Sequence, residues 1–178
     1  MLTQKRPRHL LAGILVAIGT LTACSPAYKA FYIPSESMTP TLQVNDRIVA
    51  HLNAYQSELP QRGDIIIFKP TDDIVQLAPN LDPETVLVKR VVALPGETIE
   101  VKDGAVHINN QPLQESYIVE PPEYTWGPIM VPANSYVVFG DNRNNAFDSH
   151  YWGFVPQENI VGKVTRRFWP PSRMGAIK

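Results

Sequence analysis

Two closely spaced serines are the first candidates for chemistry in this sequence. Ser35 and Ser37 lie in the segment 33–42, IPSESMTPTL, which also contains Pro34 and Pro40. Because proline fixes its own φ and biases the preceding residue toward extended backbone, this loop is expected to be stiff. Hydrolysis of an amide needs a nucleophile, a base and donors for the developing oxyanion. A stiff loop can hold one serine as the nucleophile and another as an oxyanion donor, although such clusters are more often simple turns.

Lys89 is the candidate base. It lies in the valine-rich run 86–92, VLVKRVV, where strand alternation puts it between Leu87 and Val91 on one face and puts Arg90 on the other. Two adjacent cations cannot both face solvent in such a strand, so one must be buried, paired or at an edge. Burial disfavours the ammonium, and lowering its pKa from about 10.4 to about 8 needs about 3 kcal/mol. A neutral amine can accept a serine proton; the alternative is an edge-strand lysine that opposes aggregation.

A third polar cluster occupies residues 140–153, GDNRNNAFDSHYWG, directly after a β-rich run. It contains Asp141, Arg143, Asp148 and His150. Such a density of polar groups can form a buried network that orients a site. It is equally typical of a turn held by side-chain-to-backbone hydrogen bonds.

Four motifs in a fixed order resemble a known family. PSESMTPTL, RGDIIIF, VKRVVALPGE and GDNRNNAFDSHYWGFVP closely resemble the bacterial type I signal peptidases (leader peptidases), a serine–lysine peptidase family. The resemblance covers nearly all of residues 31–164. The short N-terminal tail and the presence of His150 in the last motif resemble cyanobacterial or Gram-positive members of the family. It implies a mostly antiparallel β catalytic domain and a membrane-bound serine endopeptidase. Its substrates would be exported precursors, cut after small residues at positions −3 and −1.

The resemblance also implies roles for individual residues. Ser37 would be the nucleophile, and Lys89 the general base and later the general acid for the leaving amine. The backbone N–H of Ser37 and the hydroxyl of Ser35 would form the oxyanion hole.

Further residues would support this site. Arg90 and Asp141 resemble a structural ion pair behind it, and Asp148 resembles a support for that pair. Met38 and Pro40 resemble packing residues of the serine motif.

Two positions depart from the family pattern. Ala146 stands where the family commonly has a serine that positions the lysine, and losing one such hydrogen bond costs about 1–2 kcal/mol, roughly tenfold in rate. Glu36 replaces a frequent glycine; it is expected to point outward and to disfavour acidic substrate positions. The alternative function is therefore a catalytically impaired, signal-peptidase-like membrane lipoprotein or binding module.

Two other classes of hydrolytic protein fit poorly. A Ser–His–Asp hydrolase would use His51 or His150, but the G-x-S-x-G motif is absent. A self-cleaving serine–lysine repressor would need a DNA-binding helix-turn-helix, whereas this N-terminus has the pattern of a membrane segment.

The elements that must position these residues are predicted to be short strands. Proline- and glycine-punctuated β-rich runs predict an antiparallel all-β domain over residues 29–178, and seventeen prolines argue against long helices. The runs are Arg47–Ala50, Asp64–Phe68, Thr85–Ala93, Thr98–Lys102, Ala105–Asn109, Ser135–Phe139 and Ile160–Arg166. Two proline- and acid-rich segments, 69–84 and 120–134, are predicted to be long loops, and the tail after Trp169 to be loose.

One hairpin can be predicted in detail. Asp103-Gly104 suits a two-residue type I′ turn, which needs positive φ at both positions. The resulting register pairs Ile99 with Ile108, Glu100 with His107, and Val101 with Val106. His107 is therefore expected to be a half-exposed hairpin residue rather than a catalyst.

The N-terminal segment has the pattern of a membrane-associated sequence. Residues 1–9 are basic, and residues 10–28 carry no charge, although only 10–23 are strongly apolar. The favoured prediction is an uncleaved, single-pass anchor helix over 10–28 with a cytoplasmic basic tail and an extracytoplasmic catalytic domain. The alternatives are lipid attachment at Cys24 and a cleaved signal peptide. The membrane would be the inner (plasma) or the thylakoid membrane.

Composition limits the possible partners. The chain has 178 residues, of which 44% are hydrophobic, and a formal net charge of −1, which excludes a broadly basic surface for nucleic acid. A single cysteine excludes an intrachain disulfide and a multi-cysteine metal site. No cofactor or metal is expected. The expected partners are exported preproteins and the lipid bilayer, with the protein acting as a monomer.

Overall fold

The computed structural model describes residues 27–82 and 84–177, which form a mostly antiparallel β structure. The strands are β1 (Tyr28–Tyr32), β2 (Arg47–His51), β3 (Ile65–Phe68), β4 (Leu87–Ala93), β5 (Thr98–Lys102), β6 (Ala105–Ile108), β7 (Gln111–Pro112), β8 (Trp126–Met130), β9 (Ser135–Phe139), β10 (Val155–Pro156), β11 (Ile160–Trp169) and β12 (Gly175–Ala176). The two short α-helices are α1 (Asp72–Leu77) and α2 (Ser149–Trp152). The predicted fold class is confirmed for this part of the chain.

The strands form two sheets. The larger has the order β1-β2-β11-β3-β4-β9-β10, with β12 paired to β11, and the smaller has the order β7-β6-β5-β8. Strand β4 lies inside the larger sheet, where Lys89 is opposite Ile66 of β3 and Arg90 is opposite Phe139 of β9. A backbone paired on both sides is a rigid support for these two side chains.

One core cluster joins the two sheets. Val92 and Phe139 of the larger sheet pack in the same cluster as Ile99, Val101 and Val106 of the smaller sheet. Each of these side chains is buried. The smaller sheet is therefore stabilised by the same apolar contacts as the strand that carries Lys89.

The predicted hairpin is confirmed. Asp103 and Gly104 have φ of 51° and 73°, as a type I′ turn requires. The register between β5 and β6 pairs Ile99 with Ile108, Glu100 with His107, and Val101 with Val106.

Both predicted loops contain regular structure. In 69–84, the Thr71 side chain accepts a hydrogen bond from the backbone N–H of Ile74 and caps α1, and Ile74 is buried. In 120–134, strand β8 pairs with β5 although it contains Gly127 and Pro128. Each segment is ordered because it buries apolar side chains on the sheets.

The tail after Trp169 was predicted to be loose, but this prediction is wrong. Residues 171–173 form a 3₁₀ turn and β12 pairs with β11. The residues that the tail contacts lie either in β11 or far away along the chain, so no local sequence pattern indicated that the tail is ordered.

The predicted tail 1–9 and most of the predicted anchor 10–28 lie outside the described residues, as does Cys24. Tyr28, the last residue of the predicted anchor, is the first residue of β1. Within residues 27–82 and 84–177, no helix has the length and apolar character needed to cross a membrane.

Candidate active site

Ser37 and Lys89 meet at the centre of the site. Ser37 lies on the loop between β1 and β2, and Lys89 projects from the middle of β4. The Lys89 Nζ donates to the Ser37 Oγ at 2.9 Å and to the backbone carbonyl of Val88 at 3.1 Å. Lys89 is only 5% exposed, and β4 is not an edge strand. The alternative of an edge-strand lysine is therefore wrong.

The surroundings of Lys89 favour its neutral form. Burial lowers the pKa of Lys89 from 10.5 to about 8, against the opposing charges of Asp148 and Asp141. At neutral to mildly alkaline pH a useful fraction of this amine is unprotonated. It can then accept the proton of the Ser37 hydroxyl along the observed hydrogen bond.

The second serine lies beside the first. The Ser35 Oγ is 3.3 Å from the Ser37 Oγ, and Ser35 is exposed. Glu36 between them is also exposed, as predicted. Met38 is buried in the core cluster that also contains Leu42, so the loop has an apolar base and a polar, open edge.

The predicted Arg90–Asp141 ion pair is present. The Arg90 Nε and Nη2 donate to the two carboxylate oxygens of Asp141, each at 2.8 Å, and the residues are 2% and 1% exposed. Arg90 also donates to the Gly63 carbonyl at 2.8 Å, and its guanidinium lies 4.0 Å from the Tyr117 ring centroid. The Thr41 hydroxyl donates to Asp141, which joins this pair to the serine loop.

Asp148 supports the loop that follows β9. It is fully buried, caps α2, and accepts hydrogen bonds from the backbone N–H of Gly140 at 2.9 Å and of His150 at 3.2 Å. The His150 Nδ1 lies 2.7 Å from the Asp148 Oδ1, and the imidazole stacks on Tyr124. His150 is thus in direct contact with Asp148, the residue that supports this loop.

Neither candidate histidine hydrogen-bonds to Ser37. His51 stacks on Tyr28, with the ring centroids 4.7 Å apart. Within the described part of the chain, the hydrogen-bond partners of the Ser37 Oγ are Lys89 and Ser35. This geometry disfavours a Ser–His–Asp hydrolase.

A glycine allows two loops of the site to touch. A Cβ on Gly140 would lie 2.3 Å from the Ser37 carbonyl oxygen and 2.4 Å from the Ala146 Cβ. The next turn hydrogen-bonds to the serine loop: the Asn142 backbone N–H donates to the Ser37 carbonyl and its side chain to the Glu36 carbonyl, each at 3.2 Å. The loop that carries Ser37 is therefore held by direct backbone contact.

One pair of buried residues was not predicted. Arg143 donates to both carboxylate oxygens of Glu115, at 2.7 and 2.5 Å, and both side chains are almost fully buried. The Arg143 Nε also donates to the Gly140 carbonyl. Arg143 stands in a conspicuous polar motif, but nothing in the sequence around Glu115 indicates that it is the partner.

The site holds groups for acid–base chemistry on a serine. Among residues 27–82 and 84–177, no three histidine, cysteine, aspartate or glutamate side chains are grouped so that they can hold a metal ion. A nucleophilic hydroxyl, a buried amine and a neighbouring hydroxyl are the components of acyl transfer.

Comparison with known proteins gives consistent matches over most of the chain. A family model described as "Signal peptidase, peptidase S26" matches residues 7–169. Signal peptidase I of Leptolyngbya laminosa is 51% identical over 93% of this chain and 79% of its own length. Probable signal peptidase I-2 of Synechocystis is 44% identical over 96% of this chain and 75% of its own length. Thylakoidal processing peptidase 1 of Arabidopsis thaliana, a chloroplast protein, is 41% identical over 80% of this chain and 42% of its own.

Proposed function

Since this chain belongs to the signal peptidase family, peptidase S26, and is a hydrolase that removes signal peptides from exported preproteins, we propose that Ser37 and Lys89 form its catalytic dyad. The observation that carries the proposal is the 2.9 Å hydrogen bond from the Lys89 amine to the Ser37 hydroxyl. The lowered pKa of Lys89, about 8, supports it because a base must be unprotonated to act.

The reaction follows from these two groups. The neutral Lys89 amine takes the Ser37 proton while the Oγ attacks the carbonyl carbon of the scissile peptide bond. When the tetrahedral intermediate collapses, the C–N bond breaks and the Lys89 ammonium gives its proton to the leaving amine. Lys89 then deprotonates a water molecule, which attacks the carbonyl carbon of the acyl-enzyme. When this second intermediate collapses, the ester C–O bond breaks and the Lys89 ammonium returns its proton to the Ser37 Oγ.

The developing oxyanion needs hydrogen-bond donors that are already in place. We propose the backbone N–H of Ser37 and the hydroxyl of Ser35 for this role. Two observations support this proposal. The Ser35 Oγ lies 3.3 Å from the Ser37 Oγ, which is the attacking oxygen, and Asn142 hydrogen-bonds to the loop that carries both serines. Removing one such donor typically costs 10²–10³-fold in rate.

We further propose that the substrate is cut after small residues and that the enzyme acts as a monomer at a membrane. All the groups of the proposed mechanism come from one chain. An anchor that begins at residue 10 and ends before β1 would place Ser37 only a short distance from the far surface, where signal-peptide cleavage sites emerge, and would raise the effective concentration of substrate. The relatives include cyanobacterial signal peptidases and a thylakoidal processing peptidase, so they are consistent with either the plasma membrane or the thylakoid membrane. Mass measurement of the mature N-terminus distinguishes this anchor from lipid attachment at Cys24.

Cleavage of a preprotein in detergent should depend on pH through Lys89. Below a pKa of about 8, the neutral fraction of the amine falls tenfold per pH unit, so kcat/KM should rise with unit slope up to about pH 8 and then level off. Rates are measured between pH 6 and 10, with the product N-terminus identified by mass. A profile that is flat from pH 6 to 8 would contradict a lysine base.

The same pKa predicts a change in stability. The unfolded lysine binds its proton up to about 10.5, whereas the folded one releases it near 8. The unfolded state therefore binds more protons between these values, so the free energy of unfolding should rise with pH across this window. The Lys89→Met variant should lose that dependence.

Ala146→Ser is expected to raise kcat, by up to roughly tenfold, because a hydroxyl at this buried position beside Gly140 adds one hydrogen-bonding group to the site. The measurement is turnover of one preprotein by both enzymes at pH 8. Ala78→Ser, at the end of α1, is the control and should leave kcat unchanged. An unchanged kcat in Ala146→Ser would show that local contacts already compensate for the alanine.

A further inference from the structure

The C-terminal segment lies against the loop that carries Ser37. Its 3₁₀ turn 171–173 leads into β12, which pairs with β11. Beyond β12, Ile177 packs against the core cluster that contains Met38, the residue after the nucleophile. The end of the chain therefore contributes to the base on which the serine loop rests.

Arg173 makes the most direct contacts between the two segments. Its Nη1 donates to the Asp46 Oδ1 at 3.1 Å, and its Nη2 points to the carbonyl oxygens of Pro40 at 3.2 Å and Thr41 at 3.4 Å. Arg167 also donates to the Thr41 carbonyl, at 2.8 Å. Asp46 is 1% exposed, so the hydrogen bond from the Arg173 Nη1 is made to a desolvated carboxylate.

Asp46 connects the two ends of the serine loop. Its backbone carbonyl accepts the N–H of Ile33 at 3.0 Å, where the loop begins. The Asp46 side chain accepts a hydrogen bond from Arg173, and Arg173 also donates to the carbonyl oxygens of Pro40 and Thr41, where segment 33–42 ends. The Thr41 hydroxyl donates in turn to Asp141, so the same residue is held from the tail and from the ion pair behind the site.

We propose that Arg173 is a positioning residue that holds the Ser37 loop in register with Lys89 by bridging Asp46 to the carbonyl oxygens of Pro40 and Thr41. The inference rests on the proposed role of Ser37 as nucleophile. A displacement of about 1 Å in a reacting group costs on the order of 10²-fold in rate. A planar guanidinium donates in several fixed directions, which a lysine ammonium on a flexible stem does not reproduce.

The test compares Arg173→Met, Arg173→Lys and the control Arg166→Met. Arg166 lies on β11, as does Arg167, but its side chain is exposed. Preprotein cleavage is measured at a temperature at which every variant is folded. Arg173→Met should lower kcat about tenfold with KM within about twofold, because this side chain does not touch substrate. Arg173→Lys should keep the wild-type melting temperature and lower kcat about threefold, and Arg166→Met should match the wild type.

The outcomes separate this inference from the proposed function. If Arg173→Met lowers only the melting temperature and leaves kcat within twofold of the wild type, the residue is merely structural and the inference is overturned. A wild-type kcat in Arg173→Lys would overturn the bridging argument, since charge alone would suffice. Ser37→Ala is assayed in parallel: if it remains active, the proposed function itself is wrong, whatever Arg173 does.

Discussion

Ser37→Ala and Lys89→Met should each reduce the cleavage of a preprotein by roughly 10⁴-fold, and the double variant should be no slower than either single variant. The alanine lacks the oxygen that attacks the peptide carbon. Methionine fills the volume of Lys89 but accepts no proton, and it removes a buried amine whose burial costs stability. Initial rates in detergent, with products identified by mass, provide the measurement.

Lys102→Met is the matched control for the lysine. Lys102 is 39% exposed in its side chain and pairs with Glu100 on the hairpin, so its replacement should leave the rate unchanged. If Lys89→Met retained more than about a tenth of the wild-type rate while His150→Ala did not, the base would be misassigned. Losses that multiply in the double variant would also contradict the dyad, because two residues that act in one step do not contribute independently.

Asp141→Asn is expected to lower the free energy of unfolding by about 3 kcal/mol, because it removes the negative charge of the carboxylate that accepts two hydrogen bonds from the buried Arg90 guanidinium. Asparagine preserves the shape of the side chain, so packing is not the cause. The loss should also weaken the support of Thr41 and thereby lower kcat. Denaturant unfolding followed by fluorescence measures the stability, and preprotein cleavage measures the activity.

The ion pair between Lys102 and Glu100 provides the comparison. It lies on the half-exposed hairpin, so Glu100→Gln should cost only about 0.5 kcal/mol. Replacing both members of the buried pair, as Arg90→Met with Asp141→Leu, should recover most of the stability lost in Asp141→Asn. An effect of Asp141→Asn below about 1 kcal/mol would mean that water or another group neutralises Arg90.

Local patterns predicted much of this fold. Asp103-Gly104 determined the hairpin register because a type I′ turn depends on two adjacent residues. The valine-rich strand indicated that Lys89 could be buried, since a cation between aliphatic residues on its own face has little access to water, but the strand alone did not exclude an edge-strand lysine. The interpretation of Ser37 and Lys89 as one site required four motifs in order, as no single motif was specific.

Long-range partners were beyond the reach of those patterns. Glu115 pairs with Arg143, and Arg173 near the C-terminus pairs with Asp46. The two residues of each pair are far apart in sequence, so no local pattern connects them. Strand β8 was missed because Gly127 and Pro128 ordinarily interrupt strands. Thr71 followed by two aspartates is a recognisable helix start, so α1 could have been predicted.

The two proposed reacting groups are supported in different ways. Lys89 belongs to a strand with hydrogen-bonded neighbours on both sides, whereas Ser37 belongs to a loop held by a few contacts with Asn142, Asp141 and Arg173. Evolution or a protein engineer can therefore exchange the surrounding loops to alter which precursors are accepted, while the proposed proton acceptor stays fixed in the sheet.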